Sequence, residues 1–88
     1  MCYTDNVIFK CNINSRVVHA LVYFIQGLGS QVYFAIGDRR VNAKSIIGVL
    51  SLGIHNGAEI KVSVFNEDCK LAEHELRLVI GYLRKMGE

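Results

Sequence analysis

The chain of 88 residues contains no proline and no apolar run long enough to cross a bilayer. Its most apolar segment, residues 17–25, is short and is interrupted by His19. About half of the residues are apolar, with 51% in the hydrophobic class. These features favour a globular composition over disorder or low complexity. The N-terminus is polar, so we expect neither a signal peptide nor a membrane partner.

A strong charge bias is also missing, because the formal net charge is only +2. The adjacent basic pairs, Arg39-Arg40 and Arg84-Lys85, are far apart in the sequence. A nucleic-acid partner usually requires a basic patch or stripe, so we expect no nucleic-acid binding.

The cysteines lack the even count and paired spacing of a disulfide framework. The three cysteines are Cys2, Cys11 and Cys69. We expect reduced thiols in a cytoplasmic protein. The cysteines and histidines show no short metal-ligand spacing, so we expect no metal site. There is also no Ser-His-Asp set, glycine-rich phosphate loop or paired-carboxylate site, so we expect neither an enzyme nor a bound cofactor.

The pattern that is present predicts seven short elements in one domain, residues 1–88. Period-two alternation predicts strands over residues 3–11, 31–36, 39–43 and 59–65. Apolar residues at helical spacing predict helices over residues 15–26, after Ser45 up to Gly53, and after Asp68. The order β-α-β-β-α-β-α favours an α+β fold, an open-faced two-layer sandwich of a four-stranded antiparallel sheet with three helices on one face.

The helix stripes predict which residues are buried. In the third helix the stripe comprises Ala72, Leu76, Val79, Ile80 and Leu83. We expect Glu73, Glu75, Arg77 and Lys85 largely outside it. In the first helix, Val17, Tyr23 and Phe24 lie off the stripe. Either their side chains fold onto the edge of the domain, or they form an exposed patch for a partner or a second copy of the chain.

The segment from Val41 to Gly57 contains the main candidate site. Ser45 is a favoured N-cap type and is followed by a short apolar helix that Gly53 ends. Ser45 can be an ordinary cap, which is the commoner case. A phosphate on its hydroxyl would also suit the unpaired amides at a helix N-terminus.

The element order and the run Val-Asn-Ala-Lys-Ser-Ile-Ile-Gly-Val-Leu-Ser-Leu-Gly at residues 41–53 resemble HPr, the small phosphocarrier of the bacterial sugar phosphotransferase system. The resemblance extends without gaps from about residue 11 and is strongest over residues 32–64. In HPr proteins of Gram-positive bacteria a dedicated HPr kinase/phosphorylase modifies the serine of the Lys-Ser-Ile-Met-Gly pattern. The resemblance implies that Ser45 is the corresponding phosphorylation site.

The chain departs from HPr at the phosphocarrier position. The family carries phosphate on a histidine before its first helix, and Asn14 matches that position. A carboxamide has no basic ring nitrogen and cannot form a phosphoimidazole, so no catalytic residue is expected. Arg16 of the family pattern remains. His19 lies five residues further on and is expected to be an ordinary helix-surface or half-buried histidine.

The chain is therefore similar to the regulatory HPr paralogue of bacilli that lacks the catalytic histidine, in which the corresponding residue is usually glutamine. That class acts as a corepressor in carbon catabolite repression: its seryl-phosphorylated form binds a LacI-type regulator, and it can dimerise. The resemblance implies HPr kinase/phosphorylase and a transcription regulator or transport-system protein as partners. The partner surface it implies comprises Arg16, Ile46, Ile47, Gly48 and Leu50.

Two alternatives remain open. One is a structural or interaction module that has lost both phosphorylation chemistries and forms a homodimer or binds a fixed partner. The other is a phosphocarrier that uses another residue.

Overall fold

The computed structural model describes residues 2–11 and 13–86. The order of elements is β1 (Cys2–Ile8), α1 (Ser15–Gln26), β2 (Gln31–Ile36), β3 (Arg39–Asn42), α2 (Ile46–Ser51), β4 (Glu59–Phe65) and α3 (Cys69–Met86). The β-α-β-β-α-β-α order predicted from the pattern is thereby confirmed. Asn12, in the gap between the first predicted strand and the first predicted helix, lies outside the described residues.

The four strands form one antiparallel sheet in the order β1-β4-β2-β3. The register between β2 and β4 places apolar residues opposite one another, as in the pairs Val32–Val64 and Phe34–Val62. These side chains are fully buried and share one core with the buried residues of the helices. Alternation along each strand turns the intervening side chains to the other face. The result is the predicted open-faced α+β sandwich.

The outer face of the sheet carries a small aromatic cluster. Tyr33 and Phe65 meet edge to face with ring centroids 5.6 Å apart. The guanidinium of Arg40 lies 4.0 Å from the centroid of the Tyr33 ring. These contacts cover part of the open face without adding a second apolar layer.

The predicted strand over residues 3–11 is too long at its C-terminal end. β1 ends at Ile8 because its partner β4 begins at Glu59, the residue opposite. Phe9 instead forms two backbone hydrogen bonds with the turn before β4. Its amide donates to the Ala58 carbonyl at 2.8 Å, and its carbonyl accepts from the Gly57 amide at 2.6 Å. Phe9 still points inward and is fully buried, as the alternation predicted.

The predicted strand over residues 39–43 ends one residue earlier, at Asn42. Ala43 nevertheless keeps a backbone bond from its amide to the Val32 carbonyl at 2.9 Å and is fully buried. The two-residue turn before this strand is the one predicted, and Gly37 there has φ 58°, a conformation that favours glycine.

The α3 stripe is confirmed, but the expectation for Glu75 is wrong. Glu75 is only 6% exposed. Its carboxylate accepts hydrogen bonds from the amides of Gly29 at 3.1 Å and Ser30 at 2.8 Å. The loop between α1 and β2 lies under α3, and its two amides need acceptors that the loop itself does not supply.

Candidate functional site around Ser45

Ser45 is the N-cap of α2. Its backbone is extended, with φ −103° and ψ 117°, and its Oγ accepts a hydrogen bond from the Gly48 amide at 3.1 Å. The side chain is exposed. The predicted cap is therefore present, and the hydroxyl is reachable from solvent.

Gly48 makes room for this cap. A Cβ at position 48 would lie 3.3 Å from both Cβ and Oγ of Ser45. Contacts of that length are tighter than ordinary van der Waals contact, so any larger residue would press on the serine side chain. Glycine at this place in the pattern allows the Ser45 hydroxyl to approach the helix backbone.

The peptide that links Lys44 to Ser45 is bonded at both of its polar ends. The Lys44 carbonyl accepts from Nε2 of Gln26 at 3.0 Å, and the Ser45 amide donates to the Asn42 carbonyl at 3.0 Å. The Lys44 amide donates to Oδ1 of Asn42 at 2.8 Å. The segment before the serine is thus tied to both α1 and β3.

The side chain of Lys44 adds a second link to α1. Its Nζ donates to the carbonyl of Leu28 at 2.8 Å, in a partly buried contact just beyond the C-terminal end of the helix. A cation is favourable next to the carbonyl groups at a helix C-terminus. This link was not foreseen from the sequence, because Gln26, Leu28 and Lys44 are distant along the chain.

Asn14 is the N-cap of α1 and resembles Ser45 in geometry. Its backbone is extended, and its Oδ1 accepts from the Val17 amide at 2.9 Å. The side chain is exposed. His19 lies five residues further along α1 and is also exposed, as expected for an ordinary surface histidine.

The predicted partner surface is partly exposed. Ile47 is 80% exposed and Leu50 is 45% exposed, whereas Val49 points into the core. Ile46 and Gly48 are half-buried. The helix therefore buries Val49, packs Ile46 against the core and presents two apolar side chains to solvent.

Arg16 is exposed in the first turn of α1, the helix that packs against α2. Within residues 2–11 and 13–86, no hydrogen bond or ion pair joins Arg16 to Ser45.

The three residues of α1 outside its buried stripe were expected either to fold onto the domain or to form an exposed patch, and the structure shows both. Phe24 folds onto the edge of the domain and stacks on Tyr82, with ring centroids 4.7 Å apart. Tyr23 is 79% exposed, and Val17 is half-buried. The exposed patch is thus reduced to a single aromatic side chain.

Glu75 and the Gln26–Lys44 contacts are the polar features that sequence reasoning missed. The helical spacing could have placed Glu75 near the core, because it lies three residues after Ala72 and four before Val79.

The part of the chain that the structure describes holds no group of three or more His, Cys, Asp or Glu arranged for a metal ion. In the same residues, every helix is too short or too polar to cross a membrane.

Comparison with known proteins agrees with this architecture. The family model described as the PTS HPr component phosphorylation site matches residues 6–80. Phosphocarrier protein HPr from Bacillus anthracis str. Ames superposes with a TM-score of 0.82 at 25% identity, over 93% of this chain and 96% of that one.

Two structures from Thermoanaerobacter tengcongensis are also similar. HPr-C-His gives a TM-score of 0.71 at 30% identity, over 100% of this chain and 97% of that one. An HPr dimer gives a TM-score of 0.65 at 32% identity, over 86% of this chain and 85% of that one. With the family model matching most of its length and the sandwich matching solved structures, the chain belongs to the HPr family of the phosphotransferase system.

Proposed function

We propose that this chain is a regulatory member of the HPr family, acting as a single cytoplasmic domain and not as an enzyme, and that Ser45 is its phosphorylation site. HPr kinase/phosphorylase would transfer phosphate from ATP to the Ser45 hydroxyl. The observation that carries the proposal is the exposed Ser45 N-cap, set in the family's Lys-Ser-Ile pattern and followed by Gly48.

The same proposal excludes the family's carrier chemistry at position 14. The Asn14 amide nitrogen is not basic, and the side chain can only cap the helix. A phosphoryl group cannot be relayed from phosphoenolpyruvate through this residue. The chain would therefore receive a regulatory phosphate without passing one on.

Phosphorylation would act by charge and not by refolding. A phosphoserine adds about −1.5 to −2 charges and three acceptor oxygens next to the exposed Ile47 and Leu50 side chains. Arg16 on the neighbouring helix supplies positive charge on the same side of the domain, by the family's geometry. A transcription regulator or transport-system protein would then bind an apolar patch and a dianion together, which neither group offers alone.

The second candidate is an interaction module that works without phosphate. Tyr23 favours it, because a tyrosine with 79% exposure on α1 is a suitable anchor for a homodimer or a fixed partner. One of the similar Thermoanaerobacter tengcongensis structures is described as an HPr dimer. Light scattering at high protein concentration tests the homodimer, which a monomer would contradict.

The main experiment incubates the purified chain with HPr kinase/phosphorylase and ATP and locates phosphate by mass spectrometry. An HPr that has its histidine serves as the positive control, and Ser45→Ala as the negative control. We expect one phosphate, on Ser45. If the positive control is modified and this chain is not, the regulatory proposal is wrong.

A parallel reaction with phosphoenolpyruvate and the first enzyme of the phosphotransferase system tests the carrier alternative. We expect no phosphate on this chain. An acid-labile phosphohistidine at His19, His55 or His74 would establish a carrier that uses another residue.

A further inference from the structure

Ser45 is presented on a peptide whose orientation is fixed from two sides. The carbonyl of Lys44 and the amide of Ser45 belong to one planar peptide group. Gln26 of α1 donates to that carbonyl at 3.0 Å, and the Asn42 carbonyl at the end of β3 accepts from that amide at 3.0 Å. A planar group held at both ends by different elements cannot rotate without breaking one of these bonds.

Two hydrogen bonds between the same segments form a reciprocal bridge, which we call the Gln26–Lys44 bridge. The Gln26 side chain bonds the Lys44 backbone at 3.0 Å, and the Lys44 side chain bonds the Leu28 backbone at 2.8 Å. Each segment thus supplies one side chain and one carbonyl. The bridge joins the C-terminal end of α1 to the residue that precedes the serine.

The ammonium group of Lys44 is already engaged in this bridge. Its contact with the Leu28 carbonyl is partly buried, and the residue as a whole is half-buried. A cation that satisfies a carbonyl in this way is directed towards α1 and not towards the Ser45 hydroxyl. The basic residue next to the serine is therefore placed to fix structure, and its charge is not displayed to an incoming enzyme or phosphate.

We propose that Lys44 and Gln26 are positioning residues for the phosphorylation of Ser45. They hold the 44–45 peptide so that the serine enters α2 with its Oγ on the Gly48 amide and its open side towards solvent. This inference rests on the proposed phosphorylation of Ser45. The lysine of the Lys-Ser-Ile pattern would orient the acceptor serine, and Gln26, which lies outside that pattern, would act with it.

The test uses Gln26→Leu and Lys44→Met, which keep the size of each side chain and remove its donor. Kinetics of Ser45 phosphorylation by HPr kinase/phosphorylase give kcat and KM separately. We expect Gln26→Leu to lower kcat about threefold to tenfold, the size of one neutral hydrogen bond, and Lys44→Met to lower it at least as much, because its bond is charge-assisted; KM should change less in both. Each substitution removes one of the two hydrogen bonds of the bridge, and both bonds hold the same segment, so the double variant should lose less kcat than the product of the two single losses.

Two measurements distinguish a loss of positioning at Ser45 from a general loss of stability. Amide hydrogen exchange at Ser45 and Gly48 should become faster in both variants, while exchange in the core of the sheet stays unchanged. Lys44→Arg keeps a donor and should recover most of the lost kcat. Lys61→Met on β4 and Gln31→Leu on β2, both exposed, are matched controls that should behave like the parent chain.

The outcomes are distinct. A raised KM for Lys44→Met with a parent-like Gln26→Leu would show that the kinase binds the lysine charge directly, and would overturn this inference alone. Parent-like kinetics in both variants would overturn it too. A parent chain that receives no phosphate would overturn the proposed function and this inference together.

Discussion

Two of the three helix N-termini of this chain, those of α1 and α2, have the same capping geometry and different chemistry. At α1 the Asn14 side chain accepts from the amide three residues on, at 2.9 Å, and at α2 the Ser45 side chain does so at 3.1 Å. In both, the cap carbonyl accepts the next amide at 3.0 Å, from Val18 and Val49 respectively. Of these two caps, only Ser45 has a hydroxyl to which a phosphoryl group could be transferred, because a carboxamide is not a phosphoryl acceptor at neutral pH.

The surroundings of the two caps differ as well. α1 has four buried residues and is fixed by the core, whereas α2 has six residues and buries only Val49. Short helices depend on tertiary contacts and caps. An N-cap can therefore be formed by a carboxamide or by a hydroxyl, since both side chains accept the amide three residues on. The predictions below test that comparison, starting with the largest effect.

Loss of the buried Glu75 carboxylate should lower the free energy of unfolding far more than loss of either exposed cap. Glu75→Ala removes the acceptor for the amides of Gly29 and Ser30 in the core-facing side of the domain. The buried Ser30 amide and the part-buried Gly29 bond would lose their acceptor, so the free energy of unfolding should fall by about 3 kcal/mol, which urea denaturation would measure. Glu75→Gln should fall between the parent and Glu75→Ala, because its one carbonyl oxygen can serve only one amide well.

The matched control for Glu75 lies two residues earlier on the same helix. Glu73 forms an exposed ion pair with Arg77 at 2.6 Å. Glu73→Ala should cost about 0.3–0.5 kcal/mol, as is typical of an exposed helical pair. Equal losses for the two glutamates would contradict the structural role assigned to Glu75.

The next prediction concerns the apolar surface beside the Ser45 cap. Ile47→Asp should raise the KM of HPr kinase/phosphorylase about tenfold or more, since truncating or charging an apolar anchor of an interface often has that effect. Ile47 is 80% exposed, so the unfolding free energy should change little. Ile8→Asp is the control, because Ile8 is 52% exposed on the outer face of the sheet, and its KM should match the parent. A raised KM in both variants would assign the effect to charge alone.

The sequence was sufficient for the fold because local signals and the core agree. Strict alternation in Glu59–Phe65 and the stripe in Ser15–Gln26 each define a face, and both elements have the predicted bounds. The ends of the strands were less predictable, since β1 stops where its partner begins and not where its own alternation stops. Pairing between distant segments decides such boundaries.

The candidate site was predictable only in part, for a related reason. Caps are local, so Ser45 could be placed from the few residues around it. The bridge between Gln26 and Lys44 depends on how α1 approaches the start of α2, which no local pattern encodes. The exposure of Tyr23 and the folding of Phe24 onto Tyr82 also required the packed structure.

Removing each cap tests the comparison directly. Asn14→Ala and Ser45→Ala should each lower the unfolding free energy by about 1 kcal/mol. The local effect should differ: hydrogen exchange at Val49 should accelerate more in Ser45→Ala than exchange at Val18 does in Asn14→Ala, because α2 has less core contact. Equal acceleration at both sites would show that the two helices depend on their caps to the same degree.

Exchanging the two caps separates capping from chemistry. The double variant Asn14→Ser with Ser45→Asn keeps an acceptor at both helices and should stay within about 0.5 kcal/mol of the parent. HPr kinase/phosphorylase should leave Ser at position 14 unmodified, because that position lacks the lysine, glycine and exposed isoleucine that surround position 45. Phosphate at position 14 would show that a capping serine alone suffices for the kinase.

The smallest expected effect compares two helical glycines. Gly81 in α3 has no atom within 4 Å of an added Cβ, so Gly81→Ala should stabilise the chain by about 0.5–1 kcal/mol through helix propensity. Gly48→Ala gains the same propensity but places a Cβ 3.3 Å from the Ser45 side chain, so its net gain should be smaller or negative. Urea denaturation of the two variants measures the difference, and phosphorylation of Ser45 should fall only in Gly48→Ala. If both substitutions stabilise equally and the kinase treats them alike, the Ser45 side chain has room to move, and the close fit of serine and glycine is not what prepares this cap for its phosphate.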